Sequence, residues 1–114
     1  MANMTPGTST PLACVPEAIP ASERSGHFAL LTRLFGETAR GRRDVPNGYA
    51  FRFDAESFED VARFVALERL CCPFLQFVIE LSPNAGPLWL SLTGPETTRE
   101  FLDVELPTRK DRSV

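Results

Sequence analysis

The sequence has few of the residues on which common binding and catalytic chemistries depend. It contains one histidine, three cysteines, one tryptophan and one tyrosine among 114 residues. An odd cysteine count is a poor basis for a disulfide framework, and no apolar run approaches the roughly 18 residues of a membrane span. The net charge of −3 leaves no basic excess for a nucleic-acid backbone. These deficits argue against a disulfide scaffold, a membrane helix and a general nucleic-acid binder.

What remains is an ordinary globular composition, with 43% hydrophobic and 24% charged residues and nine phenylalanines. The N-terminal stretch is rich in Thr, Ser, Pro and Gly and lacks the basic start and apolar centre of a secretory signal. We therefore expect a flexible tail over residues 1–12, one domain over 13–106 and a polar tail over 107–114. We also expect a cytoplasmic location, where thiols stay reduced.

Hydrophobic periodicity predicts a helix and a strand in the first half of the chain. Residues 20–39 carry one helical stripe of apolar side chains, and His27 lies on the edge of that stripe. The stripe comprises Phe28, Leu31, Leu34 and Phe35. Residues 41–48 are predicted to form a turn-rich loop, and the basic cluster of Arg40, Arg42 and Arg43 is expected to be solvated in this Gly-containing connection. Residues 49–53 alternate as a half-buried strand does.

The second half predicts a helix, a hairpin and a short final helix. The longer helix begins after Asp54 or Ser57 and ends before Pro73, because the residue that precedes a proline is pushed out of helical geometry. Its predicted buried residues are Phe58, Val61, Ala62 and Val65. Residues 74–81 and 88–93 form an antiparallel hairpin around a Pro/Gly turn. The motif Thr93-Gly94-Pro95-Glu96 is typical of a capped helix start and predicts a helix through Leu102.

These elements together predict an α+β fold with two layers. A small mixed or antiparallel sheet of about three strands has the helices packed on one face. The strand–helix–strand unit over residues 49–81 is a right-handed crossover if its two strands are parallel.

The cysteine pair Cys71-Cys72 is the most informative feature for function. Glu68 lies one helical turn before the pair, so the two thiols and the carboxylate share one side of the last turn. Thiolates bind soft ions such as zinc or copper, and a carboxylate or imidazole can complete the coordination. Cys14 and His27 are the other candidates of that kind. We therefore expect a site for a soft metal or metalloid formed by Cys14, His27, Glu68, Cys71 and Cys72.

Two other interpretations stay open. The pair can belong to the core of a dimeric structural or regulatory module, because free cysteines are often buried. It can also serve a thiol-dependent enzyme in which Cys71 or Cys72 is the nucleophile and His27 the base. The helix C-terminus and Glu68 both raise the thiol pKa, which disfavours the nucleophile. An arginine such as Arg69 is expected to pair with Glu68, since an unpaired buried carboxylate is costly.

Three segments resemble a family of small bacterial proteins of uncharacterised activity with an ER-x-CCPF…GP-x-WL…LTGPEG signature. Residues 68–74 read ERLCCPF, residues 86–90 read GPLWL and residues 92–96 read LTGPE. The strand GYAFRF at residues 48–53 is also similar to theirs. The resemblance covers roughly Cys14 to Leu102 and implies a compact domain with a site near the cysteine pair, without naming a reaction. This chain departs from the pattern at Thr97, where the family has glycine.

Overall fold

The computed structural model describes residues 12–107, so the predicted tails lie almost wholly outside the described residues. The principal elements, in chain order, are α1 (Ala21–Arg33), β1 (Gly41–Val45), β2 (Gly48–Phe53), α2 (Phe58–Cys71), β3 (Gln76–Leu81), β4 (Leu88–Thr93) and α3 (Thr98–Glu105). A π-helical turn, Leu34–Thr38, extends α1. Within the described part of the chain, no helix is long and apolar enough to cross a bilayer.

The four strands form one sheet in the order β1-β2-β4-β3, and every neighbouring pair is antiparallel. Since β2 and β3 both run antiparallel to β4, they are parallel to each other with β4 between them. Helix α2 therefore forms a crossover between two parallel strands that are not neighbours. The predicted α+β fold is confirmed, with one strand more than expected.

Alternation along the two central strands creates the core face of the sheet. Tyr49, Phe51 and Phe53 on β2 face the same way as Leu88, Leu90 and Leu92 on β4, and all six are buried. Phe35 packs edge-on between Phe51 of the sheet and Phe64 of α2, with ring centroids 4.9 and 5.1 Å apart. Aromatic rings therefore join the helical layer to the sheet.

The predicted loop over residues 41–48 is wrong, because most of it is the edge strand β1. Its sequence, GRRDV, has no apolar alternation, which is why the strand is not visible as a pattern. In the structure Arg42 lies over the ring of Tyr49 at 4.1 Å, and Arg43 lies over the ring of Trp89 at 4.0 Å. Arginine stems and cation–π contacts thus replace apolar side chains on this edge.

Two helices also differ from the prediction. Phe58 is 41% exposed rather than buried, and the buried residues of α2 are Val61, Phe64, Glu68 and Cys71. Helix α3 begins at Thr98 instead of Pro95, and the Thr98 hydroxyl donates a hydrogen bond to the Pro95 carbonyl at 2.6 Å. It continues past Leu102 to Glu105. This extension brings Glu105 into the helix, close to Cys14.

Candidate metal centre

The C-terminal end of α2 places two thiols and a carboxylate on the buried side of the helix. The chain leaves helical geometry at Cys72 (φ −121°, ψ 77°), as expected for a residue before Pro73, while the Cys72 amide still donates to the Glu68 carbonyl at 2.7 Å. Cys71 and Cys72 are both fully buried. The bend turns the second thiol away from the ideal helical direction, so adjacent cysteines can approach one centre.

Cys14 reaches this end through the segment that precedes α1. The Val15 amide donates to the Cys71 carbonyl at 2.8 Å. This hydrogen bond holds the segment at the end of α2, where the last carbonyls have no acceptor role within the helix. Ile19 is fully buried and anchors the same segment in the core. As a result the Cys14 and Cys72 sulfurs lie 2.8 Å apart. All three sulfurs, of Cys14, Cys71 and Cys72, lie within 4.8 Å of one another.

Two carboxylates contact these thiols from different helices. The Cys72 thiol donates to Oε2 of Glu68 at 3.3 Å, and the Cys14 thiol donates to Oε2 of Glu105 at 3.0 Å. The ligand atoms of Cys14, Glu68 and Glu105 also lie within 4.8 Å of one another. The thiols of Cys14 and Cys72 therefore each have their own carboxylate acceptor.

His27 acts on the site through Glu68 and does not contact a thiol. Its Nε2 lies 2.7 Å from Oε1 of Glu68, and its ring stacks on Phe64 with the ring planes 9° apart. Nδ1 is buried and has no hydrogen-bond partner in the described residues. An unpartnered Nδ1 costs least when it carries no proton, which makes Nε2 the donor to the carboxylate. This pairing corrects the expectation that Arg69 neutralises Glu68.

The surroundings hold the two buried thiols in their protonated form. Burial, followed by the hydrogen bond with Cys14, raises the pKa of Cys71 to about 12. The hydrogen bond with Cys14 and then burial raise the pKa of Cys72, and the negative charge of Glu68 adds to this shift. In the described residues neither Glu68 nor Glu105 forms an ion pair with lysine or arginine. The site is thus rich in donors and acidic groups and poor in cations.

The structure brings four of the five predicted residues into direct contact and links the fifth to them. Cys14, Cys71 and Cys72 form the thiol group, Glu68 touches it and His27 touches Glu68. Sequence reasoning missed a second carboxylate, Glu105, because the last helix was expected to end at Leu102. The two leucines at positions 102 and 106, four residues apart, were the sequence signal that the helix continues past Leu102, and both are buried in the structure.

Comparisons of this chain with family models, with curated proteins and with solved structures found no match. The resemblance to bacterial proteins with the ER-x-CCPF signature therefore stays a prediction. Proteins that share a fold can differ in function, because the function depends on the chemistry of the site.

Proposed function

We propose that this protein binds one soft metal or metalloid ion through the sulfurs of Cys14, Cys71 and Cys72. The observation that carries the proposal is the approach of all three sulfurs to within 4.8 Å from segments that are 58 residues apart in sequence. Two sulfurs that share one tetrahedral ion at about 2.3 Å each lie about 3.8 Å apart. Modest side-chain adjustment therefore accommodates an ion among them.

The arrangement also offers the ion a route to the site. Cys71, Cys72 and Glu68 are buried, whereas Cys14 and Glu105 are half-buried and border the solvent. An incoming ion would meet Cys14 first and the buried pair afterwards. Binding removes protons from the thiols, since the thiolate is the ligand. We place this activity in the cytoplasm, where the three cysteines remain reduced.

Native mass spectrometry with zinc, copper(I), cadmium and arsenite tests the proposal. We expect one bound ion per chain in the wild type and loss of that ion in Cys14→Ser. Cys14 is the half-buried member of the triad, so this variant leaves the buried pair in place. Val15→Ser, at the exposed neighbouring position, is the matched control and should keep the ion. A wild-type protein that holds none of these ions at one equivalent would refute the proposal.

The complete burial of Cys71 and Cys72 favours a second candidate function, a dimeric structural or regulatory module in which the pair is part of the core. That alternative predicts that no ion binds and that Cys71→Ala/Cys72→Ala changes only stability. The third interpretation, a thiol enzyme, has less support. The raised thiol pKa disfavours a nucleophile, and His27 faces Glu68 instead of a sulfur.

A further inference from the structure

The charge of the site discriminates among the ions that three sulfurs can hold. Three thiolates around a divalent zinc ion leave one net negative charge, and three around copper(I) leave two. Three thiolates around trivalent arsenic or antimony leave none. Burying an uncompensated charge is costly, and nearby charges of the same sign increase that cost.

The neighbours of the sulfurs are acidic. Glu68 is 1% exposed, and its only ion-pair partner in the described residues is His27. Glu105 contacts Cys14 and is paired with no lysine or arginine there. An anionic metal–thiolate complex would therefore be repelled by both carboxylates, whereas a neutral complex would not. The charge distribution favours the trivalent metalloid.

The contacts between thiols and carboxylates also fit the chemistry of a metalloid hydroxide. Arsenite at neutral pH is the uncharged trihydroxide As(OH)3, and it reacts with three thiols to give As(SR)3 and three waters. In each step an As–S bond forms, an As–O bond breaks and the thiol proton leaves with the hydroxide as water, so no oxidant or reductant is needed. Glu105 can take the proton from Cys14 at 3.0 Å, and Glu68 can take that from Cys72 at 3.3 Å, and each can pass it to the leaving hydroxide.

From these contacts we infer that the ion is trivalent arsenic or antimony, taken up as its neutral hydroxide and held by three sulfurs without a carboxylate ligand. This inference rests on the proposed function. Glu68 is held at Oε1 by His27, so its Oε2 stays directed at the Cys72 thiol as a proton acceptor. Glu105 serves Cys14 in the same way from the solvent side.

Competition between arsenite and zinc chloride tests the inference on the full, reduced chain. We expect arsenite to bind at one equivalent and to protect three thiols from a thiol reagent in the native protein. Zinc at equal concentration should not displace it. Phenylarsine oxide, which can take only two thiols, should leave one thiol reactive. Cys14→Ser should weaken arsenite binding by more than about tenfold. Substitution of residues that only surround the ligands of a metal site already lowers its affinity by about tenfold, and Cys14 is a proposed ligand.

The outcomes separate the two proposals. Tight zinc binding that arsenite cannot displace would overturn the metalloid assignment and leave the soft-ion function standing. Failure of arsenite to bind would overturn the metalloid assignment, and failure of zinc, copper(I) and cadmium to bind as well would overturn the soft-ion function. Protection of only two thiols by arsenite would overturn the three-sulfur site.

Glu105→Gln distinguishes a proton acceptor from a ligand. We expect arsenite association and dissociation to slow by the same factor, at least about tenfold, with the dissociation constant unchanged. Glu100→Gln, an exposed position on the same helix, is the control and should change neither rate. Weaker binding at an unchanged association rate would identify Glu105 as a ligand and contradict the inference. Unchanged rates in Glu105→Gln would remove its role in proton transfer.

Discussion

The acidic side chains near the two ends of α2 differ in burial and in their partners. Near the N-terminus Asp60 pairs with Arg33 at 2.9 Å, and both side chains are about half exposed. At the C-terminus Glu68 is buried among thiols and a histidine, without an arginine. Exposed pairs contribute little because water screens them, whereas a buried acidic group constrains everything around it. The C-terminal end therefore concentrates buried donor groups that are compatible with metal binding, whereas the N-terminal end carries a solvent-exposed ion pair.

The largest expected contrast comes from two phenylalanines of α2, Phe58 at its exposed N-terminus and Phe64 in its buried middle. Phe64→Ala should lower the free energy of unfolding by about 3–5 kcal/mol, because Phe64 is fully buried against His27 and Phe35. Phe58→Ala should cost about 1 kcal/mol or less, since Phe58 is 41% exposed. Urea unfolding of the two variants measures both values. Similar losses of free energy of unfolding would mean that the N-terminus and the middle of α2 are equally well packed.

A smaller contrast separates the two carboxylates. Glu68→Leu should cost about 1–3 kcal/mol, because it leaves the buried Nε2 of His27 without an acceptor. Asp60→Leu should change the free energy of unfolding by less than about 1 kcal/mol, as is usual for an exposed pair. Urea unfolding without added metal gives the comparison. An equal effect of the two substitutions would contradict it.

The alkaline limb of the stability curve reports on the thiol end. The folded pKa of Cys71 is raised from 9.0 to about 12, chiefly by burial, so the protonated thiol stabilises the fold fully below pH 9. This contribution declines as pH rises through 9 toward 12, by up to about 1.4 kcal/mol per pH unit for each such thiol. Thermal melts of the metal-free protein should show the decline. Cys71→Ala/Cys72→Ala should flatten it, and an unchanged slope would show that the thiols do not cause it.

The smallest effect on stability is expected from the ion pair of Arg40 and Asp54, which precedes α2, and it concerns the stability at acidic pH. Arg40 donates to Asp54 at 2.8 Å, and this hydrogen bond lowers the Asp54 pKa. A lowered carboxyl pKa stabilises the fold above its unfolded value, about 4, and the contribution is lost as pH falls below that value. Asp54→Asn should shift the melting temperature slightly at neutral pH and not at all at pH 2. High salt should remove the neutral-pH shift, because the pair is solvent-exposed.

Elements with clear apolar spacing were predictable from the sequence. The hairpin of β3 and β4 and the end of α2 at Pro73 follow from alternation and from proline geometry, both of which are local. Strand β1 was missed because Arg42 and Arg43 pack on aromatic rings of other strands. A contact between distant residues leaves no trace in the spacing of one segment.

Most members of the candidate site were predictable from the sequence, whereas Glu105 and the contacts among the members were not. Residue chemistry singled out Cys14 and His27, because the chain has no other thiol or imidazole group besides the cysteine pair, and helical spacing singled out Glu68. The pairing of His27 with Glu68 depends on how α1 packs against α2, which the sequence does not specify. Glu105 depends on where a helix ends, and exposed helix ends follow weak preferences.

The bridging position of Cys14 gives ligand binding a mechanical consequence. It lies 58 residues from Cys72 and 91 residues from Glu105, so an atom bound to Cys14 and the cysteine pair closes a loop that spans half the chain. By loop entropy alone, such a cross-link disfavours the unfolded chain by about 4 kcal/mol, as a disulfide of that span would. The bound ion would then act as a reversible cross-link between the N-terminal segment and the end of α2. Its loss would loosen the segment before α1, and proteolysis in that segment would report whether the site is loaded.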